Sequence, residues 1–275
     1  MKKHPLLDIN YIRKVDRSNA QDSKIIESFA VDDALCLAAS EHRETSIHYW
    51  VHKPTVVLGI PDSRLPYLED GINFLQKQGY DVLIRNSGGL AVVLDEGVLN
   101  ISLIFPDAKH FDIHDGYEAM VEFIRWVFED EGLPIEAYEI EESYCPGTYD
   151  LSIHGKKFAG ISQRRVKSGS AVQIYLDVEG HGEERAELLK TFYKLAKNGT
   201  QTKFNYPNIN PNVMASLEQL FHKKLSVKHV MDRVEQKLTE QSVTIDERPM
   251  FSEEREWFEN RLELMKQRNE RLFHK

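Results

Sequence analysis

The chain has 275 residues, 41% hydrophobic and 29% charged, with a net charge of −9, ordinary proportions for one large folded domain or two smaller ones. That balance argues against a nucleic-acid surface, which needs clustered Lys and Arg, and leaves room for a local basic patch facing an acidic protein. Two cysteines, Cys36 and Cys145, make no secretory disulfide framework, and no stretch supplies the roughly 18 apolar residues of a membrane span. The basic start at Met1–His4 meets charged residues before an apolar signal core forms, so the expected compartment is the reducing cytoplasm.

Residues 28–40 read as an amphipathic helix, with Asp32 and Asp33 in its first turn, where the helix dipole favours acids. Cys36 lies inside its apolar run and reads as a small core residue. Strands are expected at 47–51 and 55–58, a helix at 65–79 closed by Gly79, and a strand at 81–85. Two further strands, 91–94 and 99–104, precede a helix at 115–131 whose stripe is Met120, Ile124, Val127 and Phe128. From 149 to 178 the pattern is an antiparallel meander turning at His154-Gly155 and Ser168-Gly169. Helices follow at 183–197, 213–221 and 226–240, and a strongly charged one at 253–273. Strands and helices mixed without strict alternation favour an α+β fold over a doubly wound sheet.

Three segments have the residue types for chemistry. Arg85-Asn86-Ser87-Gly88-Gly89-Leu90-Ala91 offers backbone N–H groups that can cradle an oxyanion or carboxylate, with Arg85 adding charge; a plain hairpin turn is the alternative. Tyr144-Cys145-Pro146-Gly147 places a thiol in a loop, where it is either inert or a nucleophile. Its neighbours Glu139, Glu141 and Glu142 oppose ionisation if they lie close, so a nucleophile there needs a cation. Gly155-Lys156-Lys157-Phe158-Ala159-Gly160 can supply it. Strand alternation sends Lys156 and Lys157 to opposite faces, one toward solvent and one inward with Cys145, unless both are simply solvated at a turn. No metal-ligand spacing and no Walker-type loop is present.

The stretch 85–100, RNSGGLAVVLDEGVLN, resembles the R-R-x-S/T-G-G-x-A-V-x-x-D-x-G-x-L-N motif of the lipoate ligase, lipoyl transferase and biotin ligase superfamily, and GKKFAG at 155–160 resembles that family's G-x-K strand. The resemblance spans roughly residues 30–235. It implies a single biotin/lipoate protein ligase-like catalytic domain, a mixed, largely antiparallel sheet flanked by helices. It assigns 30–240 to that domain, 1–29 to an N-terminal extension and 241–275 to a peripheral C-terminal helix. It also implies that Lys157 is the acyl-binding lysine. The implied substrate contacts are Arg85, Ser87, Gly88, Gly89, Leu90 and Ala91 in the first motif, and Gly155, Phe158, Ala159 and Gly160 in the second. Leu90 and Leu94 depart from the family, where a Gly or Arg and a His are common, so no histidine role carries over.

A cysteine twelve residues before the lysine, with none after it, looks like the octanoyltransferase branch that forms an acyl-thioester on a loop cysteine. That likeness implies catalysis by Cys145 and Lys157 without cofactor, metal or ATP. Apolar residues such as Leu90, Val92 and Phe158 would line the octanoyl channel. The implied donor is the glycine-cleavage H protein and the implied acceptors are lipoyl domains of 2-oxoacid dehydrogenase E2 subunits, with no nucleic acid and no membrane. Open alternatives are an octanoyl-acyl carrier protein donor, an ATP-dependent lipoate ligase, and a module that only binds lipoyl domains.

Overall fold

A strand covered on both faces sits in the middle of a sheet. Two strands, β6 (Val98–Phe105) and β10 (Gly169–Asp177), are buried along their whole length, their Val, Ile and Leu interleaved with small and polar residues, and pair antiparallel from Val98 opposite Asp177 to Phe105 opposite Ser170. The computed structural model describes residues 4–19 and 24–273. The further strands are β1 (Tyr11–Arg17), β2 (Ser46–Trp50), β3 (Thr55–Leu58), β4 (Asp81–Ile84), β5 (Val92–Leu94), β7 (Glu136–Ala137), β8 (Leu151–Ile153), β9 (Lys156–Val166) and β11 (Thr244–Asp246). They form an eight-stranded sheet, β11-β1-β2-β6-β10-β9-β8-β7, and a three-stranded sheet, β4-β3-β5. In the large sheet only β11-β1 and β1-β2 pair parallel, so it is mixed and largely antiparallel.

One face of the large sheet carries α3 (Ile113–Val127) and α6 (Val227–Glu240), packed through Met120, Ile124, Val230 and Val234. The other face carries α1 (Ile25–His42), and beside it the small sheet packs against α4 (Gly182–Lys197), with α2 (Leu68–Lys77) outside. Cys36 sits fully buried among Val31, Leu35, Ile104 and Ala171, a core residue as its sequence context suggested. The remaining helices are the short α5 (Leu217–Leu220) and the long α7 (Ser252–Phe273).

Several expectations need correction. Helix α1 begins at Ile25, so Asp32 and Asp33 are interior rather than first-turn acids. A buried carboxylate needs partners. Asp32 accepts from His48 Nδ1 (2.7 Å), Ser102 Oγ (2.7 Å) and Gln173 Nε2 (2.6 Å), and Asp33 from Arg164 Nε (3.0 Å). The expected helix at 213–221 shortens to α5, because residues just before it pair with β9: Met214 bridges Lys157, and the Ala215 N–H donates to the Lys157 carbonyl at 3.0 Å. The extension expected at 1–29 contains β1, which lies between β11 and β2, with Arg13 fully buried. Nor does α7 lie loosely outside, since Glu254, Met265 and Asn269 are buried and Glu254 Oε1 accepts from Arg13 Nη1 at 2.6 Å.

Candidate active site

The glycine segment after β4 is not a hairpin turn. β4 and β5 do not pair with each other; both pair with β3, β4 parallel and β5 antiparallel. The chain from Arg85 to Ala91 therefore crosses the end of β3, passing over Gly59. A Cβ on Gly59 would overlap the Gly89 carbonyl, so the crossing depends on a residue without a side chain. Asp62 supports it from beneath: its carboxylate accepts from the Gly59 N–H (2.7 Å) and Tyr193 Oη (2.9 Å), and that oxygen accepts from the Ala91 N–H (3.2 Å). Burial pushes the Asp62 carboxyl up to about 6.

This crossing delivers two donors to one sulfur. The Leu90 N–H donates to Cys145 Sγ at 3.1 Å, and Arg85 Nη2 lies 3.4 Å from it while donating to the Leu90 carbonyl at 2.6 Å. Cys145 has φ of +46°, in the left-handed region, immediately before a proline. A non-glycine residue held there costs on the order of 1–3 kcal/mol and persists only where surroundings over-determine it. Those surroundings centre on Asp150. Its Oδ2 accepts from the Ile140 N–H (3.2 Å) and the Gly147 N–H (3.1 Å), while Oδ1 lies 2.9 Å from Lys157 Nζ. Burial raises the Asp150 carboxyl, and Lys157 and those N–H groups pull it back. Lys157 Nζ, fully buried, also reaches Ser143 Oγ (3.1 Å), the Tyr144 carbonyl (2.9 Å) and the Cys145 carbonyl (2.9 Å).

Alternation along β9 thus places Lys157 inward and Lys156 outward as expected, the latter 46% exposed at its side chain. The cation touching the sulfur is nevertheless Arg85; Lys157 grips the backbone of the loop that bears it. The glutamates stand aside, all exposed, with Glu142 bonded to Asn210.

Cys145 opens into a cavity of ≈370 Å³ between the two sheets. Phe29, Val57, Val92 and Leu94 line it on one side and Ile161, Ile174 and Tyr175 on the other. Of the expected substrate contacts, Arg85, Gly88, Gly89 and Gly160 reach this cavity. Leu90 contributes its backbone N–H, while its side chain packs in the core, as does that of Ala91. Ser87 is buried outside the lining, and Phe158 and Ala159 face the opposite core against α3. Gly155 serves the β8–β9 turn at φ +74°. Sequence reasoning missed Tyr117, Tyr149 and His114 at the cavity, although Tyr149 is four residues from Cys145. Among the described residues no group of three or more His, Cys, Asp or Glu converges as a metal site.

A model of the lipoyl protein ligase A/B catalytic domain matches residues 24–239. The chain belongs to that family. An octanoyl-[GcvH]:protein N-octanoyltransferase of Oceanobacillus iheyensis is 52% identical over 266 residues, covering 94% of this chain and 95% of the relative. One of that name from Staphylococcus aureus is 45% identical, with 94% of each chain covered. Among solved structures, a lipoate-protein ligase A bound with ATP matches at TM-score 0.69 and 16% identity, covering 93% of this chain and 94% of that one. A bi-partite lipoate protein ligase from Thermoplasma acidophilum matches at TM-score 0.66 and 18% identity, covering 93% and 92%. At such identities the likeness attests the fold: one α+β ligase-type domain around a mixed sheet.

Proposed function

We propose that the protein is an acyltransferase that moves octanoyl from the lysine of GcvH, the glycine-cleavage H protein, to lysines of other proteins through a thioester on Cys145. The observation that carries this reading is the placement of Cys145 Sγ at the mouth of an apolar cavity, under the Leu90 N–H and Arg85 Nη2. Family membership and the relatives' shared name support the donor; lipoyl domains of E2 subunits are the acceptors we propose. The cavity lies within the roughly 300–1,000 Å³ range of small-ligand sites, and its aliphatic walls suit a medium acyl chain.

The Cys145 thiolate attacks the amide carbonyl carbon, and the developing oxyanion needs donors beside the sulfur. The Leu90 N–H and the Arg85 guanidinium stand there, while Lys157 holds the loop that presents the nucleophile. The first lysine leaves, and a second amine attacks the thioester and regenerates the thiolate. An amide is consumed and an amide is formed, so the transfer needs no ATP. The free thiols fit a reducing cytoplasm, and no described helix is long and apolar enough to cross a membrane.

Intact-mass spectrometry tests the reading. Incubation with octanoylated H protein, without ATP, is expected to add one octanoyl group, which an E2 lipoyl domain then removes; Cys145→Ala gains nothing. Octanoylation that requires ATP and survives Cys145→Ala would make the protein a ligase instead. Acylation from octanoyl-acyl carrier protein but not from octanoylated H protein would replace the donor.

A further inference from the structure

An amide donor imposes a demand that a thioester donor does not. When the C–N bond breaks, the departing lysine nitrogen must receive a proton, because an amide anion is too basic to leave. In the return step the attacking amine must lose one. Both needs are met by a single group that alternates between acid and base. In the proposed reaction the acyl chain enters the cavity and the lysine arm comes from solvent, which puts the reacting nitrogen on the rim side of the carbonyl carbon.

The cavity's ionisable groups narrow the choice. Arg85 is engaged with the sulfur and the Leu90 carbonyl. The Asp150 carboxylate is committed to Lys157 and two backbone N–H groups, and Lys157 to the loop. Burial pushes the Tyr117, Tyr149 and Tyr175 phenols up, so they stay protonated. His114, in the first turn of α3, is exposed on the rim and is the only imidazole in the lining among the described residues. Its Nδ1 lies 3.0 Å from Tyr149 Oη, and Tyr149 in turn stacks on Tyr117 at 4.9 Å and 7°. Those contacts orient the ring and leave Nε2 for proton transfer.

We infer that His114 is a catalytic residue, the proton carrier of both half-reactions. With thiolate and imidazolium as the starting pair, Sγ bonds to the carbonyl carbon, the C–N bond breaks, and Nε2 gives its proton to the departing nitrogen, releasing a neutral amine. Neutral imidazole then takes a proton from the acceptor amine as it adds to the thioester; the C–S bond breaks and the thiolate–imidazolium pair returns. No outside reactant enters the cycle.

This inference rests on the acyl-transfer reading above, and one experiment separates the two. Self-acylation is followed by intact mass with an amide donor, octanoylated H protein, and with a thioester donor, octanoyl-N-acetylcysteamine, whose thiolate leaves without a proton. His114→Ala and His114→Gln are expected to slow acylation from the amide donor at least 100-fold, within the usual range of lost general acid catalysis. The thioester donor should change less than about threefold, and added imidazole should restore part of the His114→Ala rate. Equal slowing with both donors, or none with the amide, would overturn the assignment. Wild-type protein that gains no octanoyl from the H protein would overturn the transfer reading itself.

Discussion

At the scale of single residues the sulfur's surroundings leave no slack. Gly89 has φ of +99°, and a Cβ there would lie 2.9 Å from Cys145 Sγ and overlap the Arg85 guanidinium. Gly89→Ala is therefore expected to cost about 1–3 kcal/mol of stability and to slow Cys145 acylation by roughly two orders of magnitude. A thermal melt and a mass-spectrometric time course check the two effects. The glycine pair and the loop cysteine were legible in the sequence because composition and neighbours mark them. The Arg85 contact with the thiol was not, since 60 residues separate the partners and only the crossing over β3 brings them together. Leu90 and Phe158 were assigned to the acyl site from motif position and apolar character, neither of which says which core a side chain joins.

Among elements, the loop between β7 and β8 is fixed by one buried pair. Removing either partner strands a charge away from water, a change worth about 3–5 kcal/mol. Asp150→Asn and Lys157→Met should each destabilise the protein and slow acylation. The double variant should cost at least about 1 kcal/mol less than the sum, because the two share one interaction. Urea unfolding of all four proteins measures that coupling; strict additivity would show that the residues act independently. Strand alternation was enough to part Lys156 from Lys157, and the family resemblance singled out Lys157 as the one that matters. What it would grip was not readable, because the acceptors are main-chain carbonyls of a loop whose path no periodicity encodes.

Across the whole molecule, α7 ties the two sheets together. Near its start Glu254 binds Arg13 of β1, and near its end Asn269 donates to the Ile84 carbonyl (3.1 Å) and accepts from the Ile84 N–H (2.9 Å), one residue before Arg85. Asn269→Ala strands both backbone groups, at a cost of about 1–3 kcal/mol, and is expected to slow Cys145 acylation although the residue is absent from the cavity lining. Unchanged acylation kinetics would mean that β4 needs no such anchor. The helix itself was evident from the sequence, but its charge made it look peripheral; a few well-spaced contacts, Glu254, Met265 and Asn269, do the docking. The α+β class was legible as well, while the small sheet's order was not, since β3 and β4 pair in parallel only after the α2 crossover.

Lys157 brings the scales together. Its ammonium has three hydrogens and four acceptors within 3.1 Å, so one acceptor is always left waiting. The lysine is fully buried and absent from the cavity lining, so all four contenders belong to the loop and its anchor. One of them can let go while every N–H stays occupied, and the buried charge is never stripped bare. The segment that carries the nucleophile can thus shift a little on its mooring, a swivel at nearly constant solvation.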